Sequence, residues 1–216
     1  MHRLIRGIHQ FSENIFPTCR EKFESLASGQ KPSTLFITCS DSRIVPEMIT
    51  QTGPGELFVL RNAGNLVPPS TATLSGEAAT IEYAVQVLKV EDVIVCGHSH
   101  CGAIAGLLQP QSLEGLPAVE KWLEHANQVR REISEQKLVR NEGEDESTSA
   151  IKANVVVQLN HLRTFQAVAD AEERGDLRLH GCFYRFETGE VKAFDATQRR
   201  FIPINEYVDS AVLATT

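Results

Sequence analysis

The sequence has no long hydrophobic run. No apolar stretch among its 216 residues approaches the ~20 residues a helix needs to cross a bilayer, so a helical membrane span is not expected. Positive charge is not in excess either. With 28 acidic against 21 basic residues and a net charge of -7, neither nucleic acid nor an anionic membrane surface is an expected partner. The paired cysteines of a disulfide framework are missing. Five cysteines are an odd number, which points to a reducing compartment, with the cytoplasm as the expectation. There is no internal repeat and no low-complexity tract. Met1 to Gln10 carries basic residues without an apolar stretch behind them, and so reads as neither a secretory signal nor a transit peptide.

The hydrophobic content of 42% against 23% charged residues is enough for the core of one domain with arms. Leu4, Ile5, Ile8, Phe11, Ile15, Phe23 and Leu26 recur at helical spacing in residues 1–29, with Pro17 expected to separate two helices. That amphipathic arm needs a covering surface, and another subunit would supply one. Leu35 to Thr38, Leu57 to Leu60 and Asp92 to Cys96 are short apolar runs that read as buried parallel strands. Helical spacing marks Glu77 to Lys89, a helix through Val119, Trp122, Leu123, Ala126, Val129 and Ile133, and a long helix through Ile151, Val155, Leu159 and Leu162. Asn141 to Ser149 reads as a solvated acidic loop. Leu177 to Phe186 and Val191 to Phe194, joined at Thr188-Gly189, read as a strand hairpin. Strands alternating with helices predict an α/β fold with a mostly parallel central sheet flanked by helices. The expected division is an arm at 1–29, a core at 30–207, and a tail at 208–216 to which no role is assigned.

The chemistry concentrates at two strand ends. Cys39 closes the first strand and opens the run Cys39-Ser40-Asp41-Ser42-Arg43. His98-Ser99-His100-Cys101 follows the third strand on a strand-to-helix turn. Two thiolates and an imidazole make three ligands, one short of a closed tetrahedral zinc shell, which is the pattern of a catalytic rather than a structural site. Each piece alone has a plainer reading. Cys39 would serve as a small buried hydrophobe, His98 and Cys101 as parts of an ordinary turn, and Asp41 with Arg43 as a strand-end cap and surface pair. What joins them is their common position at the carboxyl ends of strands, where open α/β sheets bind ligands. Asp41 is then the candidate acceptor for an activated water, held ionised by Arg43. A shell with two thiolates neutralises the ion, so water ionisation is expected above the value of about 7 found with three histidines. His100 is read as a surface turn residue, and Cys19, Cys96 and Cys182 as structural.

These motifs resemble those of the β-class carbonic anhydrases, plant-type branch, which includes the cyanobacterial enzymes associated with carboxysomes. Cys39-Ser40-Asp41-Ser42-Arg43 matches the family's first motif, His98-Ser99-His100-Cys101-Gly102 its second, and Arg61-Asn62-Ala63-Gly64-Asn65 a segment between them. The resemblance implies zinc as cofactor, one ion per chain, and carbon dioxide and bicarbonate as substrates. It implies catalysis by the Asp41-Arg43 dyad and a homo-oligomer built from dimers through the arm. It places Gln30, Phe58, Ala63, Tyr83 and Gly102 around the substrate, with Gln30, Phe58 and Tyr83 reaching it across the subunit interface. For Phe58 and Tyr83 taken alone, core packing is the plainer reading. A cytoplasmic or carboxysomal location and a carboxysome scaffold protein as partner follow from the same likeness. A regulated branch of the family, in which the aspartate closes on zinc, has Trp and Gly three and one residues before the first cysteine. Phe36 and Thr38 stand there in this chain, so an open site is expected.

Two other activities fit parts of the pattern. A carbonyl sulfide or carbon disulfide hydrolase would share the ligands and differ in pocket shape. A non-catalytic assembly protein could keep zinc as structure, but it would have no use for the Asp41-Arg43 dyad. A zinc nucleoside deaminase is disfavoured, because its His-x-Glu and Pro-Cys-x-x-Cys pattern is absent.

Overall fold

The structure, a computed structural model, describes residues 2–136, 138 and 143–207. The expected tail at 208–216 lies outside the described residues. The chain opens with helix α1 (His2–Gln10), a π turn (Phe11–Ile15) and helix α2 (Phe16–Leu26). Two helices do meet near Pro17, but the proline itself is not the break. It sits in the first turn of α2, where its missing N–H costs nothing, and the wide turn before it absorbs the ring. The bend comes two residues later, at Cys19. Leu4, Ile5, Ile8, Phe11 and Ile15 are between 44% and 73% exposed, so this chain alone leaves the arm's apolar stripe uncovered.

The core then alternates. Strand β1 (Thr34–Cys39) is followed by α3 (Pro46–Thr50), β2 (Leu57–Asn62), α4 (Gly76–Glu82) with a π turn to Leu88, and β3 (Asp92–His98). Next come α5 (Gly102–Leu108), α6 (Pro117–Leu123), α7 (Gln128–Ser134), α8 (Glu146–Leu162), α9 (Gln166–Glu173), and strands β4 (Arg178–Tyr184), β5 (Val191–Asp195) and β6 (Arg200–Pro203). One sheet of order β2-β1-β3-β4-β5-β6 results. Its first four strands are parallel and its last two antiparallel, so the mostly parallel sheet and the hairpin read from the sequence are both present. α3, α9 and β6 were not read from the sequence. The helix expected through Val119 and Ile133 is broken, because a 3₁₀ turn (Glu124–Ala126) separates α6 from α7.

Strand alternation divides the side chains between two faces. Leu35, Ile37, Val93 and Val95 enter the main core under α8, whereas Phe36 and Cys96 join a smaller cluster with Ile44 on the other face. α8 is buried nearly all round. It lies close to the sheet because β3 and β4 present glycines to it. A Cβ on Gly97 would stand 2.9 Å from Val155, and one on Gly181 would stand 2.9 Å from the same residue. The acidic segment before α8 is not the solvated loop its composition suggests. Residues 139–142 lie outside the described residues. Of the rest, Asp145 caps α8 by accepting from the Thr148 N–H, and Glu144 is buried in an ion pair with Lys152. The apolar content of α8 leaves Lys152 no solvent, so its ammonium draws the carboxylate inward.

Candidate metal centre

β1 and β3 are neighbours in the sheet, but the chain leaves them for opposite sides, towards β2 and β4. A crevice opens at the carboxyl ends of such a strand pair, and Cys39 and His98 are the last residues of the two strands. Cys101 follows three residues after His98, at the start of α5. Sγ of Cys39, a ring nitrogen of His98 and Sγ of Cys101 all lie within 4.8 Å of one another, and all three residues are buried. Asp41 is outside this group, so three residues able to ligate a metal face the centre among the described residues.

The histidine is prepared for a cation. Nδ1 of His98 lies 2.9 Å from the Ser99 carbonyl, so it carries the proton and donates. That fixes the tautomer and leaves a lone pair on Nε2. Nε2 is fully buried and has no hydrogen-bond partner among the described residues, a costly state unless a metal takes the lone pair. The thiols are poised as well. Cys39 is lowered to about 4, first by the hydrogen bond from Cys101, then by contacts with His98 and the Gly64 and Asp41 N–H groups, with burial opposing. Cys101 is raised, first by its hydrogen bond to Cys39 and then by burial. A buried thiolate, a second thiol sharing its proton and an orphan imidazole nitrogen form a soft-donor set suited to Zn²⁺.

Beside it stands the dyad. Arg43 donates from its backbone N–H and from Nε to Oδ1 of Asp41, each at 2.9 Å, and from Nη2 to Oδ2 at 2.6 Å. Arg43 therefore holds the Asp41 carboxyl well below the usual carboxylate range. Oδ2 accepts one of these bonds where Oδ1 accepts two, and Oδ2 is the oxygen 4.0 Å from His98 Nε2. The less occupied oxygen faces the centre.

A family model described as "Carbonic anhydrase" matches residues 34–191. The carbonic anhydrase of Synechocystis sp. is 48% identical over 94% of this chain and 74% of its own length. That of Pseudomonas aeruginosa is 44% identical over 96% of this chain and 93% of its own. The solved β-carbonic anhydrase CcaA superposes with a TM-score of 0.88 at 48% identity, covering 94% of this chain and 91% of that one. The chain belongs to the β-carbonic anhydrases. One of two tetrameric β-carbonic anhydrases solved from Sordaria macrospora superposes with a TM-score of 0.78 at 30% identity, covering 90% of this chain and 96% of that one.

The loop of this β-carbonic anhydrase is held by contacts that the sequence motifs do not announce. Arg61 donates to the carbonyls of Cys39, Asp41 and Ile44 at 3.1, 2.7 and 3.1 Å, so one guanidinium fastens the whole turn that carries the dyad. Phe186, from the loop between β4 and β5, lies 4.9 Å from the His98 ring and has the Arg43 guanidinium 4.6 Å above it. Glu187 accepts from Ser99 Oγ at 2.9 Å and pairs with Nε2 of exposed His100. Its carboxyl is lowered to about 2, by its own backbone N–H first and then by Ser99 and His100. The His100 carbonyl in turn accepts from Arg43. A hairpin about 88 residues downstream in sequence thus clasps both the ligand turn and the dyad.

The remaining sequence-predicted residues fall in two groups. Ala63 lies beside the thiolate, one residue before Gly64, and Gly102 follows Cys101 with open space where its Cβ would be. Gln30, Phe58 and Tyr83 do not approach the cluster within one chain. Phe58 pairs with Leu35, four residues before the Cys39 pairing, and stacks on Tyr83 at 6.0 Å. Gln30 lines a cleft with Lys22, Leu26 and Glu56 at the opposite end of β1. Cys96 is buried in the smaller core cluster and Cys182 packs against it, in line with a structural reading.

Proposed function

We propose that this enzyme catalyses the reversible hydration of carbon dioxide to bicarbonate and a proton, with one zinc ion per chain held by Cys39, His98 and Cys101. The orphaned, tautomer-fixed Nε2 of His98 beside two poised thiols carries this reading. Zinc, when bound, supplies a Lewis acid that lets water ionise near neutral pH.

Asp41 then has one task. Kept ionised by Arg43, it accepts a hydrogen bond from the attacking water on Oδ2, which aims the remaining lone pair at the carbon of carbon dioxide. The new C–O bond gives bicarbonate, and the proton released passes to solvent. Arg43 holds Asp41 away from the metal by a bidentate pair, which supports an open rather than a closed site. Ala63 and Gly102 flank the substrate on the same chain. Gln30, Phe58 and Tyr83 complete the pocket of a neighbouring subunit, a role supported by their distance from their own chain's cluster. The uncovered stripe of α1 supports a dimer-based oligomer.

A hydration assay on protein with measured zinc content is the test. Turnover that scales with zinc occupancy is expected, and full zinc with no hydration activity would sink the proposal. Sedimentation tests the assembly: a fully active monomer at micromolar concentration would overturn the shared pocket. The likeness to the branch with carboxysome-associated members supports a cytoplasmic or carboxysomal location with a scaffold partner, which a fluorescent fusion and co-purification would check.

A further inference from the structure

We propose that Trp122 is a positioning residue for the metal centre, acting through a single peptide unit to tune Cys39 as a ligand. Trp122 is the only tryptophan in the chain. It stands on α6, half-buried against the main core. Its indole Nε1–H donates to the Ala63 carbonyl at 2.7 Å. The other pole of that same peptide, the Gly64 N–H, donates to Cys39 Sγ at 3.3 Å. One amide is therefore stretched between an indole N–H and a thiolate.

The coupling follows from the peptide group itself. Its carbonyl and N–H are joined by resonance, so a donor on the oxygen draws electron density from the nitrogen and sharpens the N–H as a donor. Hydrogen bonds in such series strengthen one another by about 10–30% each. A stronger N–H···S bond holds the Cys39 sulfur more firmly in its aim at the centre, as outer hydrogen bonds to ligating groups do, so weakening it loosens the ligand. The indole N–H needs some acceptor once half-buried. The acceptor it takes is the carbonyl of a peptide whose N–H faces a ligand sulfur.

The peptide is fixed in place. Gly64 has φ +84°, and a Cβ there would lie 3.0 Å from Ala103. The next carbonyl, of Gly64, accepts from Asn154 Nδ2 at 2.9 Å. Asn154 is held by Gln158 at 2.8 Å, and Gln158 accepts from the Val67 N–H at 2.8 Å. Asn154 and Gln158 are wholly buried polar residues on α8 that sequence reading passed over. They grip one side of Gly64 while Trp122 grips the other, so the N–H cannot swing off the sulfur.

The inference rests on the zinc reading of the site, and the experiment separates the two. Because the chain has one tryptophan, replacing it with its benzothienyl analogue, in which sulfur takes the place of the N–H, changes this contact while keeping ring volume. W122F serves as a second variant. Three quantities are read in native and altered protein: the Gly64 amide proton resonance, zinc affinity by chelator competition, and the hydration rate. The analogue should keep its far-ultraviolet dichroism, shift the Gly64 amide proton upfield, and bind zinc about tenfold more weakly. W122F should shift the same resonance in the same direction. An unmoved Gly64 resonance with native zinc affinity in the analogue overturns this inference alone. Failure of the native protein to bind zinc overturns the metal reading and this inference with it.

Discussion

The two ends of one sheet carry the same three kinds of side chain. At the amino end of β3 and β4, Asp92 accepts from Arg178 at 2.8 Å through both carboxylate oxygens and from His180 Nε2 at 2.8 Å. The second nitrogen of His180 meets the Tyr207 hydroxyl at 2.8 Å. At the carboxyl end, Asp41 accepts from Arg43 in the same forked way, but His98 stands 4.0 Å off with Nε2 unpartnered. The first trio is closed: every atom with hydrogen-bonding capacity on the imidazole is used, and the cluster ties strands to the C-terminal segment. The second is open by one lone pair, and two thiols converge where that lone pair points. An Asp-Arg-His grouping therefore carries no chemistry by composition. The vacancy in its hydrogen bonding does.

Breaking the open end should cost most. Cys101→Ala removes a ligand, and zinc should fall from one per chain to near none, with hydration falling on the order of 10³-fold or more. Metal analysis together with the rate checks this, and a variant that kept zinc and full activity would refute the assignment. Asp41→Asn should keep zinc and lose roughly 10²-fold in kcat, the scale for losing one oriented polar contact in a transition state. Equal rates would reduce the dyad to a structural pair like its counterpart. Glu187→Gln loosens the hairpin clasp without touching a ligand, and a loss of about tenfold or less is expected, with zinc retained.

The closed end gives the smallest effect on rate. Asp92→Asn should leave hydration at the native level. Burial pushes the Asp92 carboxyl up, but hydrogen bonds from His180 and Arg178 more than offset this and hold it below the usual carboxylate range. A carboxyl lowered in the folded state stabilises at pH above its ordinary value, and that stabilisation is lost as pH falls through the folded value. Asp92→Asn should therefore cost about 1 kcal/mol at neutral pH, and the difference from native protein should shrink below about pH 4. A cost that grows on acidification would contradict the sign.

The three clustered residues were legible because each closes or follows an apolar strand, so Cys39, His98 and Cys101 could be placed at one sheet end from the sequence alone. The strands themselves were legible for the same reason, as short β-branched runs with polar turns. What escaped the sequence is what depends on distant partners. Phe186 and Glu187 sit in a hairpin loop whose local pattern says only that it turns. Asn154, Gln158 and His161 interrupt the apolar face of α8 and look like its solvent side, yet their partners at Gly64 and Val67 lie about 90 residues away. Glu144 read as a solvated acid because nothing nearby in sequence reveals that Lys152 is buried. Trp122 looked like ordinary helix packing, since a hydrogen bond from an indole leaves no periodicity.

Val155 fits between Gly97 and Gly181 like a pin between two plates, with no clearance for a methyl group on either. Tolerance to mutation at this contact runs one way. Val155 can lose atoms and leave only a void, whereas growth at Gly97 must lever α8 off the sheet, and Asn154 is the next residue along that helix. Gly97 is not one of the three clustered residues, yet a side chain there would press on Val155 and Ile151 and disturb the grip of α8 on the peptide beside Cys39.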